Sequence, residues 1–257
     1  MNKLLSSLLV AASFGSSAFA VTLPKADTTW EHISDSDKVT VYKKEIPGSA
    51  VVAFRGETTI DAPIAKVANV LIDTSRKKEW VFRIVEAKDV RTISQYERIE
   101  YNHTASGFFL VKDRDFVFHA KAELDRDNKQ VVFSMKSVDD AAMPEKGPVR
   151  GWLDDSRYIL TQVAPNQTHV VVEIHADPRG SVAKWLVNLF QKSWPTKSLN
   201  GIRAQCAKPD VAEHAGIKAY FEAPTVAKTQ TAPAITKASA VAKKKPVMTK
   251  AAPGALK

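Results

Sequence analysis

Apolar positions along this chain change their period in a definite order. Val39 to Tyr42 and Val51 to Phe54 are short β-rich runs parted by the turn signal Pro47-Gly48, and the second continues through Ile60, which predicts an opening hairpin. Asp61 stands two residues ahead of Pro63, and Ile64, Val67, Ala68 and Leu71 then recur at helical spacing. An N-cap, a proline in the first turn and an amphipathic helix are expected there. Arg76 to Trp80 reads as a second short helical piece.

No comparable helical period returns before residue 181. Ile84 to Ile93, Tyr96 to His103, Arg114 to Leu124, Gln130 to Val138, Val149 to Leu153, Tyr158 to Val163 and His169 to His175 are β-rich, and turn formers such as Asp127-Asn128 and Pro165-Asn166 divide them. They predict an antiparallel meander. In the third run Phe116, Phe118, Ala120, Ala122 and Leu124 alternate with His119, Lys121, Glu123 and Asp125, so one face is dry and the other wet.

The element that covers the dry face comes last. Ser181 is a candidate N-cap, and Val182, Trp185, Leu186, Leu189 and Phe190 follow at i, i+3, i+4, i+7 and i+8, with Leu199, Ile202 and Cys206 extending the stripe. Pro195 interrupts it and is expected to kink or break the helix after Trp194. Strands, a short helical pair, more strands and a long final helix make an α+β chain of helix-grip type, a curved antiparallel sheet wrapped around the C-terminal helix.

The 257 residues are 44% hydrophobic, enough to bury a core, and the formal charge is +9. That charge lies at the ends. Residues 1–20 hold one basic residue, Lys3, and residues 223–257 hold seven lysines and no acid, which leaves 29 basic and 28 acidic groups between them. A nucleic-acid-binding domain carries a basic stripe in its fold, and this balance argues against one. Asn2-Lys3, the apolar run from Leu4 and the small-x-small site Ala18-Phe19-Ala20 read as a signal peptide cleaved after Ala20. The expected protein is therefore periplasmic or secreted. Residues 21–207 form the domain and residues 208–222 an extension of uncertain structure. The Ala/Pro/Lys-rich segment 223–257 lacks the apolar surface to fold and reads as a disordered tail that contacts anionic surfaces.

Arg114-Asp-Phe-Val117, Val149-Arg-Gly151, and His175 to Ser181 leading into Lys184-Trp-Leu-Val-Asn188 resemble the START (steroidogenic acute regulatory protein-related lipid transfer) domain, in particular its exported bacterial members. The resemblance covers Trp30 to Cys206. It implies a lipid-sized cavity between sheet and final helix, a lipid or other hydrophobic small molecule as partner, and neither cofactor, metal nor catalytic residue. A monomer is expected. The alternative is an aromatase/cyclase-like helix-grip enzyme acting on a hydrophobic substrate.

Several residues carry this reading. Arg114 shares the parity of Phe116 and Phe118, so its guanidinium either enters the interior, with Glu97 or Glu100 as partner, or snorkels to solvent. Trp185, Leu189 and Trp194 either line the cavity or pack the sheet as core. Phe108, Phe109 and Leu110 follow Gly107 in a loop, where they form a gate or membrane-touching tip or plug the barrel end. His169, Glu173 and His175 share a strand face, but i to i+4 along a strand spans ~13 Å, too far for one ion. No GxSxG, HExxH, P-loop or GxGxxG occurs, and Cys206 reads as a small buried hydrophobe.

Overall fold

The computed structural model describes residues 29–181 and 184–223, and for 184–191 the backbone alone. The expected signal peptide and the segment from residue 224 onward lie outside the described residues.

The first strand is one that the apolar pattern does not mark. β1 (Glu31–Ser36) pairs antiparallel with β2 (Val39–Lys44) through a turn at Asp37-Lys38, both at positive φ. As an edge strand exposed on both faces it shows no alternation. The expected β2–β3 pairing is present, with β3 running Ala53–Ile60. Helix α1 (Ile64–Ile72) turns its apolar stripe into the core, but Asp61 does not cap it. Pro63 occupies the cap position, and the Asp61 carboxylate accepts from Gln167 Nε2 at 2.9 Å. A 3-10 segment, Thr74–Glu79, supplies the second short helical piece.

Seven further strands follow among the described residues: β4 (Ile84–Ser94), β5 (Glu97–Thr104), β6 (Arg114–Asp125), β7 (Gln130–Ser137), the two-residue β8 (Val149–Arg150), β9 (Trp152–Ala164) and β10 (Gln167–Asp177). The sheet order is β1-β2-β3-β10-β9-β7-β6-β5-β4. Neighbours along it are antiparallel, while β8 runs parallel beside β6. The expected strand Val149–Leu153 therefore divides at Gly151, and Leu153 joins Tyr158 in one long β9. Gly151 lies against the Phe116 ring so closely that a Cβ would overlap it.

Helix α2 (Lys184–Cys206) continues through Pro195, so of the kink or break expected there the break does not occur. Proline removes one helical hydrogen bond, but here its ring is buried over β3, where a Cβ on Gly56 would come within 2.6 Å of Pro195 Cβ. Packing at that contact offsets the lost bond. The uncertain stretch after the domain is an ordered cap. Its helix α3 (Ala215–Glu222) is N-capped by His214, whose Nδ1 accepts from Ile217 N at 3.3 Å. His214 N donates to Ala65 O at 3.0 Å, Asn69 Nδ2 to Ala212 O at 3.0 Å, and Tyr220 OH to Leu124 O at 3.2 Å.

The main core therefore gathers at one end of the sheet. There α1, the C-terminal half of α2 and α3 bury Val67, Ala68, Leu199, Ile202, Cys206 and Ile217 against Val41, Ile60, Leu160 and Val172. The outer face of β5 and β6 is not wholly wet. Ile99, Tyr101 and Val117 lie buried there with Met143 and Val138 packed on them, and Arg150 donates to Asp115 at 2.9 and 3.1 Å. Gly56→Val is expected to lift α2 from β3 and to cost about 1–3 kcal/mol of overpacking strain, read as a lower urea midpoint. An unchanged midpoint would show that the helix is not seated at Gly56.

Candidate functional site

The end of the sheet away from the main core is hollow. A cavity of about 280 Å³ lies between the concave face and α2. Even-numbered residues of β5 and β6 form one wall: Arg98, Glu100, Asn102 and Thr104, then Arg114, Phe116, Phe118 and Ala120. Phe133 and Met135 of β7, Leu153 and Tyr158 of β9, Ile174 and Ala176 of β10, and Trp194 of α2 continue it, and Trp80 to Ile84 complete the rim. The inward face expected for β6 is thus the cavity wall, and its parity places Phe116 and Phe118 where the alternation put them.

Trp194 lines the cavity as expected, while the side chains of Trp185 and Leu189 lie outside the described residues. Tyr158 marks the boundary between cavity and core. Its hydroxyl shares a hydrogen bond of 2.9 Å with Ser198 Oγ and so pins α2 to β9, and burial pushes its ionisation well above the ordinary range.

The apolar wall holds one buried charge cluster. Glu100 has no exposed surface. Its carboxylate accepts from Lys77 Nζ, and from Arg98 Nε at 3.3 Å. Arg98 also donates to Leu71 O at 3.3 Å and approaches Asp89 at 3.4 Å, and Asp89 in turn accepts from Thr74 at 2.8 Å. Desolvation pulls the Lys77 ammonium below its ordinary value, which Glu100 counteracts. Lys77 and Arg98 were not foreseen as site residues. The first stands in a basic Arg-Lys-Lys run that reads as solvated, and the second lies on a strand with polar residues on both faces.

Arg114 points inward but has neither expected partner. Glu97 is bonded to His119 at 2.7 Å on the outer face, and Glu100 belongs to Lys77 and Arg98. The guanidinium instead donates to three backbone carbonyls: Pro178 and Arg179, each at 3.1 Å, and Lys112. Burial holds its ionisation below the ordinary arginine value. It therefore clasps the turn entering α2 to the root of the 105–113 loop.

That loop has a fixed root and an exposed tip. Ser106 N donates to Asp113 Oδ1 at 2.9 Å, Asp113 Oδ2 meets His103 Nε2 at 3.0 Å, and Ser106 Oγ bridges Phe108 N and Val111 O. These bonds keep the Asp113 carboxyl below its usual range, the Ser106 amide contributing most. Ala105, Ser106 and Val111 line the cavity, whereas Phe109 and Leu110 are 102% and 90% exposed and Phe108 45%. The three do not plug the barrel end as core.

Glu173 and His175 serve structural contacts. Glu173 accepts from Arg55 at 3.2 Å and from Arg157 at 2.6 Å, and His175 Nε2 meets Ser49 Oγ at 2.9 Å. Among the described residues no group of three His, Cys, Asp or Glu is placed to hold a metal ion. Burial pushes the Cys206 thiol up to about 12, so it stays protonated and inert.

Curved sheet, enclosing helix and apolar cavity with a buried polar cluster define a helix-grip protein built around an internal pocket. The START domain profile matches residues 22–209, and the chain belongs to that family. Among its relatives is the uncharacterized protein PA1579 of Pseudomonas aeruginosa, 27% identical over 205 residues that cover 78% of this chain and 96% of that one. The structure superposes on human StAR-related lipid transfer protein 5 with a TM-score of 0.65 at 18% identity, covering 71% of this chain and 88% of that one. It superposes on a STAR-related lipid transfer protein from Xanthomonas axonopodis with a TM-score of 0.63 at 23% identity, covering 70% and 99%.

Arg114→Met removes the donor of all three carbonyl bonds. It is expected to lower stability by about 1–3 kcal/mol and to speed amide exchange selectively in residues 105–113 and 177–181. Unchanged exchange in both segments would show that Arg114 is not their clasp.

Proposed function

We propose that this protein carries a lipid-type ligand in the cavity and shields it from water outside the cytoplasm. The observation that carries the reading is the cavity itself. About 280 Å³ of space bounded by Phe116, Phe118, Ala120, Phe133, Leu153 and Ile174 has no role in packing, and it gains free energy when an apolar chain fills it, at ~25 cal/mol per Å² of surface removed from water. Binding rather than conversion fits the polar groups on the wall. Glu100 is held by two cations and Tyr158 is held protonated, so neither is poised as a general base. Export rests on the basic, apolar and small-residue pattern of residues 1–20.

Exchange with a membrane is assigned to the 105–113 loop. Its apolar tip stands clear of the fold while its root lines the cavity. Arg83 lies over the Phe82 and Phe108 rings at 5.0 and 6.0 Å, and Lys197 over Phe82 at 3.9 Å. Cations beside the exposed Phe108 ring and the half-buried Phe82 ring suit the surface of an anionic bilayer.

Ala120→Phe places a ring inside the cavity from a wall position and is expected to reduce uptake of a fluorescent lipid roughly tenfold or more, the affinity equivalent of losing about 1.4 kcal/mol, with the fold retained by circular dichroism. Full uptake by the folded variant would remove the cavity as the binding site. Native mass spectrometry of protein isolated from the periplasm tests ligand and export together, since it is expected to show a bound lipid-sized adduct on a chain beginning at Val21.

Replacing Phe109 and Leu110 by Ser is expected to leave the melting temperature unchanged, because both side chains are already exposed, and to weaken insertion into anionic lipid monolayers. Equal insertion by wild type and variant would dissociate the loop from the membrane.

A further inference from the structure

The walls of the cavity do not balance in charge. Among the described residues, the lining carries four basic side chains, Lys77, Arg83, Arg98 and Arg114, against one carboxylate, Glu100. At the buried cluster the imbalance is local. Lys77 and Arg98 are each 7% exposed and share Glu100 between them, while Asp89, the next carboxylate, is off the cavity wall and has a side chain 39% exposed to solvent. Counted on the cavity wall alone one cation is in excess, the second carboxylate of the cluster, Asp89 at 3.4 Å from Arg98 Nε, standing outside that wall.

Hydrogen-bond donors are in excess there as well. Lys77 uses one of its three N–H groups, on Glu100, and Arg98 uses Nε and Nη2. Among the described residues no acceptor takes Nη1 of Arg98 or the remaining N–H groups of Lys77. Buried cations call for a compensating anion and buried donors for acceptors.

From this we infer that the ligand is a single-chain amphiphile ending in a carboxylate, with its head against Lys77 and Arg98. The inference rests on the reading of the cavity as a lipid site and specifies that site's substrate class. A carboxylate brings one negative charge and two acceptor oxygens, which match one excess cation and the unused donors. A phosphomonoester brings nearly two negative charges and overcompensates the cluster. A neutral alcohol or ester leaves the excess charge standing. The volume, near the lower end of the ~300–1,000 Å³ typical of small-molecule pockets, fits one chain better than two.

The test uses the delipidated mature protein and displacement of a cavity-bound fluorescent probe by chain-matched palmitic acid, hexadecanol and methyl palmitate, with a two-chain phosphatidylglycerol as fourth competitor. Palmitic acid is expected to bind roughly tenfold or more tighter than the alcohol and the ester, as charge-assisted hydrogen bonds allow. Arg98→Met and Lys77→Met are each expected to bring the ratio of palmitic acid to hexadecanol affinity down toward one, and Arg98→Lys to keep part of it. Should the variants fail to fold, wild-type protein still decides: acid affinity is expected to fall as pH drops through the carboxylate range, with hexadecanol affinity constant. Hexadecanol or phosphatidylglycerol binding as tightly as the acid overturns this inference and leaves the lipid-site reading standing. If none of the four displaces the probe, the lipid-site reading falls and the inference with it.

Discussion

The seat of α2 on β3 governs everything else in this structure. At Gly56 the sheet offers no side chain, so Pro195 and Leu199 approach the strand backbone directly. The described part of the helix packs on β2, β3 and β10. A strongly curved sheet that is touched along one edge must stand off elsewhere, and β5, β6 and β7 face α2 across open space. The bond between Tyr158 and Ser198 sits where close packing gives way to that space. A single residue without a Cβ thus decides on which side the domain is solid and on which it is hollow.

A hollow end has consequences for stability. At the ~24 cal/mol per Å³ found for engineered cavities, a void of about 280 Å³ costs at most on the order of 7 kcal/mol, comparable with the whole net stability of an ordinary domain. The fold answers by concentrating its packing. α1, α3 and the last turns of α2 crowd the opposite end, where Val67, Ala68, Leu199, Ile202 and Ile217 have no exposed surface. The cap that follows the family's boundary at residue 209 belongs to this compensation, since its Ile217 enters the core and its backbone bonds α1.

How far the sequence disclosed this arrangement depended on whether burial left a one-sided pattern. From Phe118 onward β6 alternates apolar and polar residues, so the face shared by Phe116, Phe118 and Ala120 was legible as the wall, and the amphipathic stripes of α1 and α2 located both helices. The cap at Asp61 and the break allowed for at Pro195 are absent because capping and helix-breaking rules describe isolated helices, whereas here Gln167 claims Asp61 and the sheet supports Pro195. β5 was opaque. Arg98, Glu100 and Asn102 face inward while Glu97 and His103 face outward, so polar residues occupy both sides and parity carries no sign. Parity likewise left two orientations open for Arg114, of which the structure shows the inward one, and neither glutamate offered as its partner pairs with it. Backbone carbonyls, which satisfied it, leave no trace in side-chain composition.

That correction changes what the polar groups do. Satisfied by carbonyls of the turn before α2 and of the loop root, Arg114 connects a turn and a loop and leaves its charge on the cavity wall. In the proposed reading, orientation of a headgroup passes to Lys77 and Arg98, which are fixed by a fully buried carboxylate and by Leu71 O. The division is physically sensible. A group that must hold loop and helix entry together needs partners that stay in place whether or not a ligand is present, and main-chain carbonyls provide them. A group that must recognise a ligand needs donors left unsatisfied in its absence, at a depth where water does not screen the charge. In the proposed reading, the link between loop and helix entry and the recognition of a ligand are therefore carried by different cations.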